Sequence, residues 1–351
     1  MTKEQLNQDF AGVQGHKIAD GGDTEVWAKP TSDGGAAVVL FNRGEAGAQV
    51  ATSAADLGLP ASDAYTMRDL WQNTTEVTTG PVRASVPAHG ARMFVVAPGS
   101  DGVPAVSADV RTDGYVGPGE SFAANATVFN DGLGSIGIVW VSLTAPDGWT
   151  VEPASGTIEE IPAGQSATVE FTVAVPAGAA TGGYPLTAGV TMSGTGFSAY
   201  GGVRVATAPT GTPYVSDLDA VSVQVGWGEL GVDESVDGNP LTIAGVRYDK
   251  GIAPHAASEV TYYLGTGCTR FTAKAGVDDE TGGLGTVGFT VLGDGAVLAE
   301  TGVLRGGDPA AAIDVDVTGV TELRLLADVG GDGNQYDHAD WVDPQLTCDA
   351  H

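Results

Sequence analysis

The sequence predicts an all-β protein built of three tandem antiparallel β-sandwich domains. Three observations lead to this expectation. The 351 residues include 53 glycines and 18 prolines but only 17% charged residues, a balance that favours turn-rich β structure. Short apolar–polar alternations recur between turn signals, roughly every ten residues in the middle of the chain. No 3.6-residue periodicity of helical length appears beyond the first few positions. The hydrophobic content of 42% is ample for packed cores. No apolar run is long enough to cross a membrane.

Residues 1–98 open with a short helix and then give a hairpin, EVWAKP–TSDGG–AAVVLFNRG, whose strands flank an Asp-Gly-Gly turn. The strand-like YTMRDLW and PVRASVPAHGARMFVVAP follow. APGSDGVPA (97–105) is a Pro/Gly linker and sets the first boundary. Residues 99–208 alternate in VSADVRT, SFAANATVFND, IGIVWVSLTAP and TVEFTVAVP, the pattern of an immunoglobulin-like sandwich. There Trp140 reads as core and Trp149 as a turn residue. TAPTGTP (207–213) is a second linker, and residues 212–351 form the third segment.

The formal charge of −29 argues against nucleic-acid and anionic-membrane partners, because such a field repels both. Cys268 and Cys348 both lie in the third segment near strand ends. Their pairing is the expectation, with an oxidising, extracellular compartment as its consequence; two free thiols are the alternative. MTKEQLNQDFAGVQG lacks a basic stretch followed by an apolar one, so no secretory signal is visible. For a secreted protein, that suggests an N-terminus that is not the original one. Among catalytic patterns, no GxSxG elbow and no HExxH spacing occurs.

The third segment carries the chemistry. Sugars are recognised by aromatic rings stacking on their apolar faces and by planar polar groups meeting their hydroxyls. The segment supplies Trp227, Tyr248, His255, Tyr262, Asp278, Tyr336, His338, Asp340 and Trp341. In DHADW (337–341), an extended backbone places His338 and Asp340 on one face and Asp337 and Trp341 on the other. His338 and Asp340 then read as a hydrogen-bonded pair. Trp341 reads either as a site residue or as core, and His255 either as a site residue or as a histidine satisfied by backbone. The expected sugar-binding set is Trp227, His255, Asp278, His338, Asp340 and Trp341. GGDGNQYD (330–337) sets Asp332, Asn334 and Asp337 in a glycine-rich loop, a donor pattern that suits Ca²⁺ although it is not an EF-hand. A plain polar turn is the alternative. A glycosidase needs two carboxyl groups across the scissile bond, whereas neighbours such as Asp278 and Asp279 point to opposite faces of a strand.

The closing stretch, GVRYDKGIAPHAASEVTYYLG through GGDGNQYDHADWVDPQLTC, resembles the NPCBM module, a sugar-binding β-sandwich often appended to glycoside hydrolases. LNQDFAGVQG, GGDTEVWAKPTSDGGAAVVLFNRG, DLW and VPAHGARMF resemble the barrel end and C-terminal β-domain of glycoside hydrolase family 27, the α-galactosidases. The middle segment resembles the NEW3 domain associated with them. These resemblances imply an α-galactosidase-type C-terminal β-domain, an immunoglobulin-like spacer and a galactose-binding-like jelly roll. They also imply binding of galactose-containing glycans, a calcium ion, and Trp27, Trp71 and His89 as core or domain-interface residues. The Asp-Tyr-Cys catalytic motif is absent, and so is the length for a barrel, which takes roughly 200 residues or more. The resulting expectation is non-catalytic carbohydrate binding. The alternatives are an α-galactosidase activity completed by a separately encoded barrel, and a structural surface protein.

Overall fold

A computed structural model describes residues 13–44, 46–112, 114–331 and 333–349. The helix expected at the start of the chain lies outside them. The chain divides into two compact units, Met1–Val205 and Ala206–His351.

The first unit holds two sandwiches with separate cores. In the first, a seven-stranded sheet is closed by the pair Ala48–Ser53 and Pro81–Val86, with Val38, Leu40, Val82, Phe94 and Val96 buried between them. The hairpin Thr24–Pro30/Ala36–Asn42 turns through residues 31–35, where Thr31 N–H donates to Gly35 O at 2.9 Å and Gly34 takes φ +84°. That left-handed position is what the Asp-Gly-Gly sequence accommodates. Within the stretch read as a linker, Val103–Pro104 pairs alongside Thr75–Thr78 and extends this sheet. Trp27 and Trp71 are partly exposed, Trp27 donating its indole N–H to Glu25 at 2.7 Å.

The second sandwich packs a four-stranded sheet on a five-stranded one, around Phe122, Val128, Val141, Phe171, Leu186 and Val190. Its alternation follows the pleat: Val139, Val141 and Leu143 point inward while the residues between them are exposed. This corrects the expectation for Trp140, which shares the outward parity and is 49% exposed. Trp149 does leave a turn, but its ring packs on Phe122 and Tyr184 at the core's edge.

The second unit is a jelly-roll sandwich of two five-stranded antiparallel sheets. One is ordered Ser222–Gln224, Ser258–Tyr263, Glu322–Val329, Thr286–Gly293, Ala296–Arg305; the other Gly231–Val232, Gly251–Ala253, Ala339–Cys348, Cys268–Val277, Ala311–Asp316. Tyr262, Phe271, Phe289, Trp341 and Leu346 fill the space between them. A short hairpin, Thr242–Ile243/Val246–Arg247, covers the outer face of the second sheet, where Leu241 and Ile243 bury against Ala253 and Val342. Gly276 makes this cover fit, since a Cβ there would lie 2.7 Å from Ile243 Cγ2. Cys268 and Cys348 are direct partners in the ladder and form a disulfide.

Candidate functional site

Three strand ends meet at one rim of the jelly roll. His255 lies just before Ser258–Tyr263, His338 opens Ala339–Cys348, and Asp278 follows Cys268–Val277. Backbone bonds fasten them: Ala256 N–H to Asp337 O, Ala339 N–H to Pro254 O and Asp278 N–H to His338 O, all at 3.0 Å. The two histidines face each other in an isolated bridge, with ring centroids 5.3 Å apart. Gly226 adds the fourth segment. Its N–H donates to His255 O at 3.0 Å, and a Cβ there would sit 2.3 Å from Ala256 O. Only glycine allows that approach. It carries Trp227 to His255, with ring centroids 5.8 Å apart and the indole 58% exposed.

The hydrogen bonds fix the histidine tautomers. His255 Nδ1–H donates to Ala256 O at 2.7 Å, and His338 Nδ1–H donates to Glu280 Oε1 at 2.6 Å. In each ring Nε2 remains for another group. Glu280 is held in turn by Ser235 Oγ–H at 2.5 Å and Asn239 Nδ2–H at 2.9 Å, both donating to Oε2. Burial would raise the Glu280 pKa, but the hydrogen bonds from Ser235, Asn239 and His338 outweigh it and hold the carboxyl below its ordinary value. Asp237, exposed, brings its carboxylate to this group, so that one ligand atom each of Asp237, Glu280 and His338 lies within 4.8 Å of the others. These are the described residues that could hold a metal ion.

The expected site set therefore divides. Trp227, His255 and His338 come together. Asp278 is buried beneath them and works as a cap: Oδ1 accepts from Glu280 N–H at 2.7 Å and Oδ2 from Thr242 N–H at 3.1 Å. Asp340 and Trp341 are corrections, for both are fully buried. The Trp341 ring meets Phe289 edge-on at 5.1 Å inside the core. Asp340 is not paired with His338, whose partner is Glu280. Burial first, then the hydrogen bond to Asp278 and the neighbouring charges of Glu280 and Asp279, push the Asp340 pKa well above the ordinary carboxyl range. The physical reason is the covering hairpin: a strand expected to have one wet face is buried on both.

Of the residues expected to ligate calcium, Asp337 is fully buried, its Oδ1 accepting from Thr286 N–H at 2.8 Å, and Asn334 is exposed. Asp332 lies outside the described residues. Tyr262 is core, and the Tyr248 ring lies under Lys274 Nζ at 4.9 Å. Ser235 and Asn239, and the role of Glu280 as partner of His338, escaped the sequence reading. The carboxylate of GVDDE was visible, but nothing local indicated that a loop some forty residues upstream would satisfy it.

Known proteins agree with this architecture. Residues 211–347 match the NPCBM/NEW2 domain, residues 21–96 the alpha galactosidase C-terminal beta sandwich domain, and residues 116–193 the NPCBM-associated, NEW3 domain of alpha-galactosidase. A putative endo-alpha-N-acetylgalactosaminidase of Renibacterium salmoninarum is 33% identical over 250 residues, which are 66% of this chain and 16% of that protein. The alpha-galactosidase of Coffea arabica is 44% identical over 94 residues, 26% of this chain and 25% of that one. A CBM51 module from a Clostridium perfringens GH95 protein, solved with methyl-galactose, is 35% identical and superposes with a TM-score of 0.38, covering 39% of this chain and 99% of that one. The chain thus spans a quarter or less of these curated relatives. Fold and matches define the class, a tandem β-sandwich protein with a carbohydrate-binding module. The chain carries an alpha galactosidase C-terminal beta sandwich domain, a NEW3 domain and an NPCBM domain, and the described residues include no catalytic barrel.

Proposed function

We propose that the chain binds galactose-containing glycans without cleaving them, through the rim formed by Trp227, His255 and His338. The observation that carries this reading is the exposed Trp227 indole beside two histidines whose Nδ1 atoms are already engaged. The indole offers a stacking platform for the apolar face of a pyranose, and each histidine keeps Nε2 for a hydroxyl. The NPCBM match over the same residues supports it. The disulfide supports an extracellular setting. Calorimetry with galactose and with glucose, on the chain and on Trp227→Ala, tests the reading. Galactose heat that disappears in the variant is expected; no heat with galactose or with galactose-ended oligosaccharides would overturn it.

A second reading is favoured by the match of residues 21–96 to the alpha galactosidase C-terminal beta sandwich. In it, the chain serves as the accessory part of a glycosidase whose barrel is supplied separately. Release of nitrophenol from a nitrophenyl α-galactoside by the purified chain would contradict the non-catalytic reading directly.

A further inference from the structure

We propose that the outer face of the five-stranded sheet around Trp140, in the first unit, is a second carbohydrate-binding surface that takes a neutral polysaccharide chain. The strand Val139–Thr144 sends alternate residues into the core, and Trp140 stands on the other side in mid-strand, 49% exposed. Directly across from it lie Thr157 and Thr191 on the two neighbouring strands. One step along the same face, Ser142 lies between Ser155 and Gly189. These six positions contain one indole, four hydroxyls and one residue without a side chain. None is charged, in a chain of net charge −29.

Each feature narrows the ligand. An exposed tryptophan at the centre of a sheet face keeps a large apolar surface in water, which an interacting partner would remove. Ile138, just before the strand and 50% exposed, adds a second exposed apolar side chain two residues from Trp140. Charged ligands find no counter-charge on the six positions; the carboxylates nearest in sequence, Glu152, Glu159 and Glu160, flank the neighbouring strand Ser155–Ile158. A protein partner would call for several large anchors and an arginine at the centre of the patch. A pyranose calls for one ring to stack on and short hydroxyls around it. At Gly189 a Cβ would meet Ser142 Oγ at 3.0 Å, so the glycine leaves the Ser142 hydroxyl uncovered on that side. An uncharged, hydroxylated polymer lying along the strand fits this combination. The proposal uses no residue of the His255–His338 rim and does not rest on it.

The test uses the full chain labelled with ¹⁵N-tryptophan and titrated with galactomannan, arabinogalactan and dextran. The Trp140 indole signal, assigned by its loss in Trp140→Phe, is expected to shift with at least one polymer. In affinity gels containing that polymer, Trp140→Ala should be retained about tenfold more weakly. Thr191→Glu, an exposed change that leaves the core untouched, should weaken retention as well. An indole signal unmoved by all three polymers would overturn the proposal. So would undiminished retention of Trp140→Ala together with loss of a dimer in sedimentation, which would make the face a contact between copies. Trp227→Ala run in parallel separates the two sites: weakened retention with Trp227→Ala alone sinks this proposal and leaves the rim standing, and the reverse result does the opposite.

Discussion

His338 Nδ1 lies 2.6 Å from Glu280 Oε1, a charge-assisted hydrogen bond between residues 58 positions apart. It sets the orientation of the imidazole, and Ser235 and Asn239 set the orientation of the carboxylate. Glu280 touches the ligand only through His338 in the proposed site, so it is a positioning residue. Glu280→Ala should weaken galactose binding about tenfold, the scale of one charge-assisted hydrogen bond. Glu280→Gln should recover most of it. The sign of the pH effect follows from the depressed Glu280 pKa: its stabilising contribution is full above the ordinary glutamate value of 4.5 and is lost as pH falls through the lower folded value. Melting followed from pH 7 down to pH 3 should therefore show the wild type losing stability on acidification by more than Glu280→Gln does.

Trp227 and Trp341 offer a contrast between two tryptophans of the same module. Trp227 is 58% exposed, whereas Trp341 is fully buried against Phe289. Trp227→Ala should leave stability within about 0.5 kcal/mol while lowering affinity for galactose about tenfold. Trp341→Ala should cost about 3–5 kcal/mol of stability through the cavity it leaves. Denaturant unfolding and calorimetry on both variants check the pair; destabilisation by Trp227→Ala would assign that ring to the core.

Period-two alternation made most strands legible, because each sandwich buries one face of each sheet and turn residues mark the ends. The 31–35 hairpin and the Cys268–Cys348 pair were readable for the same local reasons. Alternation alone does not say which face is wet, and there the reading broke. Trp140 looked like core because it is apolar, yet its parity placed it outside. Asp340 looked like a site residue because it is polar, yet the Thr242–Arg247 hairpin seals that side of its strand. His255 and His338 were singled out from residue type, and the structure brings them together. Their Glu280 partner was not, because the Ser235–Asn239 loop that completes the network is a tertiary contact without a sequence signature.

Asp340 sits in that sealed layer with Asp278, and its raised pKa has a definite consequence. Unfolded, the residue ionises above about 3.9; folded, it keeps its proton to much higher pH. Stability from this group is therefore highest below the unfolded pKa and is lost as pH rises through the folded one. Asp340→Asn preserves a donor toward Asp278 and removes the titration. The variant should melt above the wild type at pH 8 and close to it at pH 4. Equal melting temperatures at both pH values would show that Asp340 is not the group that titrates.

The disulfide joins residues 80 apart in sequence that are direct ladder partners. It restrains the unfolded chain by closing a long loop and pins the C-terminal strand Ala339–Cys348, which carries His338 at its start and Trp341 within it. Cys268→Ala with Cys348→Ala should cost about 2–4 kcal/mol. The loss should appear in the melting of the jelly roll and not in that of the other unit, since both cysteines and the whole enclosed loop belong to residues 206–351. Galactose affinity of the folded double variant should change little, because the two sulfurs sit at the far end of the strand from His338. Scanning calorimetry with and without reductant resolves this: an unchanged melting profile after reduction would show that the bond contributes nothing to stability.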